Sequence, residues 1–436
     1  LFLFTVDMYS RPCLAAMRFR LSSQIRLRSE PSTSRENPNQ SNRHRHSFVE
    51  AVLKGHSKAV EEMESEIVMR EEMRKKDLRN SENLLLNTVL PYIQSKVISN
   101  SRFVPVGSSV TGLASSHSDL DVVLFPTDKK SRGDFVKKFT PNEGLRQELL
   151  SVLRSTIVHS IHNWEDDRFE VEDCHIFPSF KVPLLICQFT NGTSLDISIV
   201  DGLCQSIRNT HLMRQYAKSD DRVGRLLLWL KMWTTALEIR NSKAGLLSSY
   251  HLLLLVIHFL QSEQSLTMPV IPVLYQRHND VFNKNRPIDD IVAELDEPPL
   301  KLDWTTRNTM STAELVIRFF DYYSHINVLQ KSIHIDKGMA RNRTNLIPEQ
   351  AAIYDPYSNQ TAFRSLIALR AFRDAVLYTH RRMRSGFMLN PFAHSSDFSY
   401  EQFLEATESS EWRLASLKRG ARNMKFGYHI RLAADG

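Results

Sequence analysis

Two rhythms of hydrophobic and polar positions divide this chain. Short β-branched runs bounded by Gly and Ser come first: FVPV (Phe103 to Val106) and LDVVLF (Leu120 to Phe125) predict strands, while KVPLLICQF and SLDISIV around T-NG-T predict a hairpin closed at Asn191-Gly192. Upstream, from Val49 to Val97, long charged stretches flank LLLNTVLPYI and predict one or two helices leading into the sheet. After Asp201 the spacing becomes helical in RNTHLMRQYAK, RVGRLLLWLKMWTTALEI and LLSSYHLLLLVIHFL, the last apolar nearly all round and therefore buried. A polar, Pro-containing stretch over 277–310 interrupts this pattern and reads as a surface excursion. Helical spacing resumes at Ala313 to His325 and at Ala362 to Arg381. The fold class expected is α+β, with a small mixed sheet followed by a mainly helical domain.

Length and flanking composition complete the division. A chain of 436 residues exceeds the usual single core, so two packed domains with tails are expected. Residues 1–47 form a basic leader whose Ser, Arg, Asn and Pro content cannot repay the entropy of ordering. Residues 48–205 make the first domain and 206–381 the helical domain, with 382–436 a basic, weakly patterned tail. The chain starts at Leu1 rather than methionine and reads as a fragment or an imperfect gene model at its N-terminus. Its 56 basic against 49 acidic residues give a net charge of +7, compatible with a polyanionic partner. Cys13, Cys174, Cys187 and Cys204 show neither a CxxC pair nor zinc-ligand spacing, which favours a reducing, cytoplasmic compartment. LFLFTV is too short for a signal-peptide core, and Leu252 to Leu260 falls far below the roughly 20 residues of a membrane span, so a soluble protein is expected.

The candidate chemistry lies where a Gly-Ser turn precedes paired acids. Val106-Gly107-Ser108 is followed, after ten residues, by Asp119-Leu120-Asp121. On one strand, residues i and i+2 share a face, which would set Asp119 and Asp121 about 6.6 Å apart along the backbone. A third acid, Asp196, interrupts the apolar strand SLDISIV. Acids embedded among Leu and Val are costly unless a cation neutralises them, and all-oxygen ligands suit Mg²⁺ or Mn²⁺. Three on neighbouring strands suit two divalent ions and in-line phosphoryl or nucleotidyl transfer. Gly107 lets the backbone approach a phosphate, and Ser108 offers it an N–H and a hydroxyl. No GxxxxGK[ST] is present, which excludes a P-loop.

The hydrophobic-Gly-Ser signature, DLD at this distance and the later lone Asp resemble the DNA polymerase β-like nucleotidyltransferases. RNTHLMRQYA, LKMWTTALEI, LLSSYHLLLLVIHFLQ, PVIPVLYQ and IYDPYSNQTAFRSL are similar to the central and PAP-associated segments of the cytoplasmic poly(A) and poly(U) polymerases, a likeness covering about Phe103 to Arg381. The resemblance implies ATP as substrate and an RNA 3′ end as acceptor, with metals at Asp119, Asp121 and Asp196. It implies nucleotide contacts at Gly107, Ser108, Asn209, Thr210, Lys231, Ser249 and Tyr250. Asn209 and Thr210 suit ribose hydroxyls or a base edge, though both also suit helix capping. Lys231, on an apolar helical face, would need an anionic partner such as the triphosphate. Tyr250 would stack on the base.

One departure stands out: many family members carry a second lysine four residues after the first, where this chain has Thr235. The uridylyl enzymes also carry a histidine after a DPF-like motif. Here Asp355-Pro356-Tyr357 is followed by Ser358 to Thr361 without one, which favours adenylation over uridylylation. The competing readings are a terminal uridylyltransferase or mixed-nucleotide enzyme and an inactive RNA-binding scaffold. With no RNP motif, GXXG loop or zinc knuckle, transcript choice is expected to fall to a partner protein.

Overall fold

The computed structural model describes residues 48–97, 100–115, 118–164, 169–180, 182–242, 244–343, 353–357, 366–407 and 411–424. The basic leader 1–47 and the stretch 358–361, which carried the choice of base, lie outside them.

A long helix α1 (Ser57–Leu84) passes through a π-helical turn at Leu85–Val89 into α2 (Leu90–Val97). Strand β1 (Ser101–Val106), a single helical turn α3 (Ser108–Thr111) and β2 (Leu120–Pro126) follow, then α4 (Lys129–Phe139), α5 (Glu143–His162), β3 (Val171–Phe177), β4 (Leu184–Phe189) and β5 (Ser194–Ile199). The five strands form one sheet in the order β1-β2-β5-β4-β3. Only the β2–β5 pair is parallel; β1–β2, β4–β5 and β3–β4 are antiparallel. The α+β fold with a small mixed sheet is therefore present, and Gly192, with φ +82°, turns the β4–β5 hairpin where Asn191-Gly192 predicted it. Edge strand β3 was not predicted. Its VEDC start interrupts the apolar alternation, and an edge tolerates that because one side has no partner strand to satisfy.

The helical lobe contains α6 (Gln205–Ser219), α7 (Asp221–Ala236), α8 (Ser249–Gln261), α9 (Ile288–Asp296), α10 (Thr312–His325), α11 (Leu366–Arg384) and α12 (Glu411–Met424). It also holds an unpredicted three-stranded sheet of Lys331–His334, Met339–Asn342 and Ile353–Tyr354. Trp229 and Trp233 of α7 are fully buried at its centre. Their indole N–H groups donate to the Leu389 carbonyl and to Thr379 Oγ1, at 3.0 and 2.8 Å. Removing such a ring costs about 3–5 kcal/mol, so these two residues anchor the lobe.

Three boundaries differ from those the pattern predicts. Phe48, Val52, Val60, Met63 and Ile67 pack with Leu212, Trp229 and Trp233, so residues 48–67 belong to the helical core rather than to the sheet domain. The expected excursion over 277–310 contains α9, whose Ile291 and Val292 bury in one cluster with Val104, Val106 and Phe125 of the sheet and Ile207 of α6. Its polar face misled the reading, because the two apolar residues that matter sit in a short amphipathic helix among acids. Beyond Arg382 the chain is not merely a weakly patterned tail: Phe398, Phe403 and Trp412 join the same core, the first two from helical segments of four and seven residues and the third from α12.

Candidate functional site

The sheet's register assembles the acids. Asp121, second residue of β2, lies directly beside Asp196 of β5 across the parallel pair. On its other side the backbone partner of Asp121 is Val106, the last residue before Gly107. Gly107 has φ +75°, and a Cβ there would stand 2.5 Å from Asp121 Oδ2. Only glycine both adopts this conformation readily and leaves room for the carboxylate. Its N–H donates to Thr210 Oγ1 at 2.9 Å, so a helix of the second lobe fixes the turn over the acids.

Asp119 departs from the expected geometry: it precedes β2 instead of lying on it, and its side chain is exposed. Burial pushes the Asp121 carboxyl up to about 7, with the neighbouring Asp119 charge adding to the effect. Asp196 accepts a hydrogen bond from Ser194 Oγ at 3.1 Å. Among the described residues no three His, Cys, Asp or Glu side chains converge closely enough to hold a metal ion. The expected three-carboxylate cage is thus open. The donors are nonetheless all carboxylate oxygens, the set a hard divalent cation prefers.

The loop between the Gly-Ser turn and the acids is gripped from the helical side by residues the sequence reading missed. Arg74 of α1 donates to the Gly112 carbonyl at 2.8 Å and to the Ala114 carbonyl, while its Nε and Nη2 donate to the two Glu71 carboxylate oxygens at 2.7 and 2.8 Å. Glu71 is 2% exposed, so this ion pair is internal. Lys231 of α7 donates to the Leu113 carbonyl at 2.7 Å. Burial, then the charges of Arg240 and Arg74, push the Lys231 ammonium down to about 8, with Glu71 pulling the other way. A lysine this poorly compensated favours an additional anion.

Two of the predicted contacts, Asn209 and Tyr250, converge on Asp355, which is 4% exposed. Its Oδ2 accepts from Asn209 Nδ2 at 2.7 Å and from the Tyr250 hydroxyl at 3.2 Å, and its Oδ1 from the Tyr357 N–H at 2.9 Å. A carboxylate only accepts, so the Asn209 amide nitrogen must face it. Asn209 Oδ1 is left buried with no partner, an acceptor in want of a donor. Thr210 behaves otherwise: its hydroxyl donates to the Ser206 carbonyl at 2.7 Å and accepts from Gly107, so it secures the turn. Ser249 begins α8 beside the capping residue Ser248, and its Oγ accepts from Arg240 Nη1 at 3.2 Å. Ser108 opens the single turn α3 next to Gly107.

A mixed sheet with two carboxylates in register, a Gly-Ser turn locked over them and a helical lobe gripping that turn make up a palm with a helical lobe packed against it. Residues 61–218 match the family model described as the central palm domain of mitochondrial-like poly(A) RNA polymerase. The Drosophila melanogaster poly(A) RNA polymerase gld-2 homolog B is 28% identical over 246 residues, 54% of this chain but 16% of that relative, so the match spans well under two thirds of the relative's length. The structure of a GLD-2/RNP-8 complex superposes with a TM-score of 0.56 at 21% identity, covering 79% of this chain and 98% of that one. A structure described as Cid1, an RNA terminal uridylyl transferase, superposes equally at 0.56 and 19% identity, covering 78% and 98%. The chain is thus similar over residues 61–218 to the palm domain of the mitochondrial-like poly(A) RNA polymerases, and over both lobes to the fold of the GLD-2 structure.

Proposed function

We propose that this chain is a template-independent RNA 3′-nucleotidyltransferase that adds AMP from ATP to RNA 3′ ends. The observation that carries the reading is the register pairing of Asp121 with Asp196 beneath Gly107. Asp119, Asp121 and Asp196 would hold divalent cations, Mg²⁺ or Mn²⁺. Bound there, the cations would acidify the attacking 3′-hydroxyl and neutralise charge on the triphosphate.

The protein's own groups set the rest. Gly107, its own N–H held by Thr210, lets the backbone approach the triphosphate, Ser108 presents an N–H and a hydroxyl to it, and Lys231 faces it with an ammonium already short of anionic partners. Asn209, oriented by Asp355, turns its unpartnered Oδ1 to a ribose hydroxyl or an adenine amino group. Tyr250, its phenol tied to the same carboxylate, offers its ring for stacking on the base. The RNA 3′-oxygen attacks the α-phosphorus in line, its proton passes to solvent, and pyrophosphate leaves.

Uridylyl transfer is the second reading, supported by the equal fold likeness to Cid1. The name of the fly relative supports adenylyl transfer. Incubating an RNA oligonucleotide with each of the four NTPs separates the two: extension with ATP at a kcat/KM at least tenfold above UTP is expected, and a preference for UTP would overturn the adenylyl assignment. The GLD-2 structure contains a protein partner, RNP-8, and an RNA-binding partner is proposed for this chain as well. No described helix is long and apolar enough to cross a membrane. The free thiols of Cys174, Cys187 and Cys204 support a cytoplasmic setting.

A further inference from the structure

The residue Thr235, found where a second lysine would be expected, has a cation of different origin beside it. Arg240, four residues beyond the end of α7, returns to the helix and donates to Thr235 Oγ1 from Nη2 at 2.8 Å and from Nε at 3.3 Å. Its Nη1 donates to Ser249 Oγ at 3.2 Å. The Thr235 hydroxyl proton is committed to the Lys231 carbonyl at 2.8 Å, so its oxygen is free to accept from the guanidinium. Ser249, accepting from Arg240, keeps its own proton available as a donor. Arg240 is exposed, and a guanidinium carries five N–H donors, of which the three contacts above use only part. No carboxylate forms an ion pair with it among the described residues.

We propose that Arg240 is a triphosphate-binding residue, a guanidinium placed by Thr235 and Ser249 to bind the β- and γ-phosphates of the incoming nucleotide in the role a second α7 lysine would otherwise fill. The inference rests on the nucleotidyltransferase reading above. Three features favour an anion over a purely structural strut. The cation has two hydroxyl partners and no carboxylate, so its charge stays uncompensated. It lies near enough to Lys231 to disfavour that ammonium, an arrangement of like charges that a polyanion relieves. Its free N–H groups form the planar fork that recognises phosphate oxygens in pairs.

The test is direct binding of ATP and of AMP, each with Mg²⁺, to the 436-residue chain by calorimetry. Arg240→Ala should weaken ATP binding by about tenfold and leave AMP binding within about twofold, because only the β- and γ-phosphates lose a charged partner. Arg240→Lys should recover part of the loss. The double variant Arg240→Ala with Thr235→Lys should recover most of it, since it restores a cation from the helix itself. ATP affinity unchanged in Arg240→Ala, or ATP and AMP affinity lost together, would overturn the assignment. Failure of the underlying reading is visible separately, as wild-type chain that binds ATP more tightly than AMP yet extends no RNA with any NTP.

Discussion

The palm and the helical lobe divide the work of the site and differ in how their geometry is fixed. In the palm, neighbouring strands place the acids: register alone puts Asp121 beside Asp196 and Val106 beside Asp121. In the helical lobe, groups distant in sequence are tied together, with Asp355 holding Asn209 and Tyr250, and Arg74 and Lys231 holding the loop over residues 112–114. The first arrangement is rigid because a sheet enforces it. The second depends on a few side chains, each of which can be removed without unfolding its element. Changes in the palm should therefore act on the chemical step, and changes in the lobe on nucleotide affinity.

The sharpest break of that division on the palm side is Gly107→Ala. Its Cβ would collide with Asp121 Oδ2, and φ +75° costs an L-residue about 1–3 kcal/mol. Primer extension should fall by at least tenfold in kcat, with ATP affinity little altered.

On the lobe side the corresponding change is Asp355→Ala, which strands the Asn209 amide and the Tyr250 phenol, each lost partner worth about 1–3 kcal/mol. ATP KM should rise roughly tenfold and thermal unfolding should come at lower temperature, while kcat for the residual activity changes less. A fall in kcat with KM unchanged would show the division to be wrong.

How far each region was readable follows from the same contrast. Gly107, Ser108, Asp119, Asp121 and Asp196 stood out because an acid in an apolar strand and a Gly-Ser turn are local signals. Even there, the placement of Asp119 ahead of β2 was not readable, since a strand's first residue is decided by its partner. Arg74, Glu71 and Arg240 carried no local signal, and Asp355 stood out only as the start of a DPF-like motif, with nothing to mark it as the partner of Asn209 and Tyr250. Arg74 reaches its carbonyl partners across 38 and 40 residues and Asn209 meets Asp355 across 146, and charged helical residues ordinarily face solvent. The same reason hid α9: its two core residues are recognisable only once the sheet exists to receive them.

A gentler test of the lobe uses pH. The Lys231 ammonium, lowered to about 8, loses its proton in the free protein well before an ordinary lysine would. Bound triphosphate favours the charged form, so ATP affinity should be full below pH 8 and decline by a few-fold as pH rises through and beyond it. Lys231→Arg, whose charge persists, should flatten that decline. The folded chain binds fewer protons than the unfolded one between about pH 8 and the ordinary lysine range, so this group's contribution to stability increases there as pH rises. Thermal unfolding across that range separates the two effects, since affinity and stability move in opposite directions.

The central claim, that the in-register acids carry nucleotidyl transfer, is tested most directly by single-turnover extension of an RNA primer with ATP and Mg²⁺ or Mn²⁺, comparing wild type with Asp121→Ala and Asp196→Ala. Removing a ligand that serves several kcal/mol of transition-state stabilisation should slow the chemical step by about a thousandfold or more, with the fold retained by circular dichroism. Extension by either folded variant within tenfold of wild type would contradict the account.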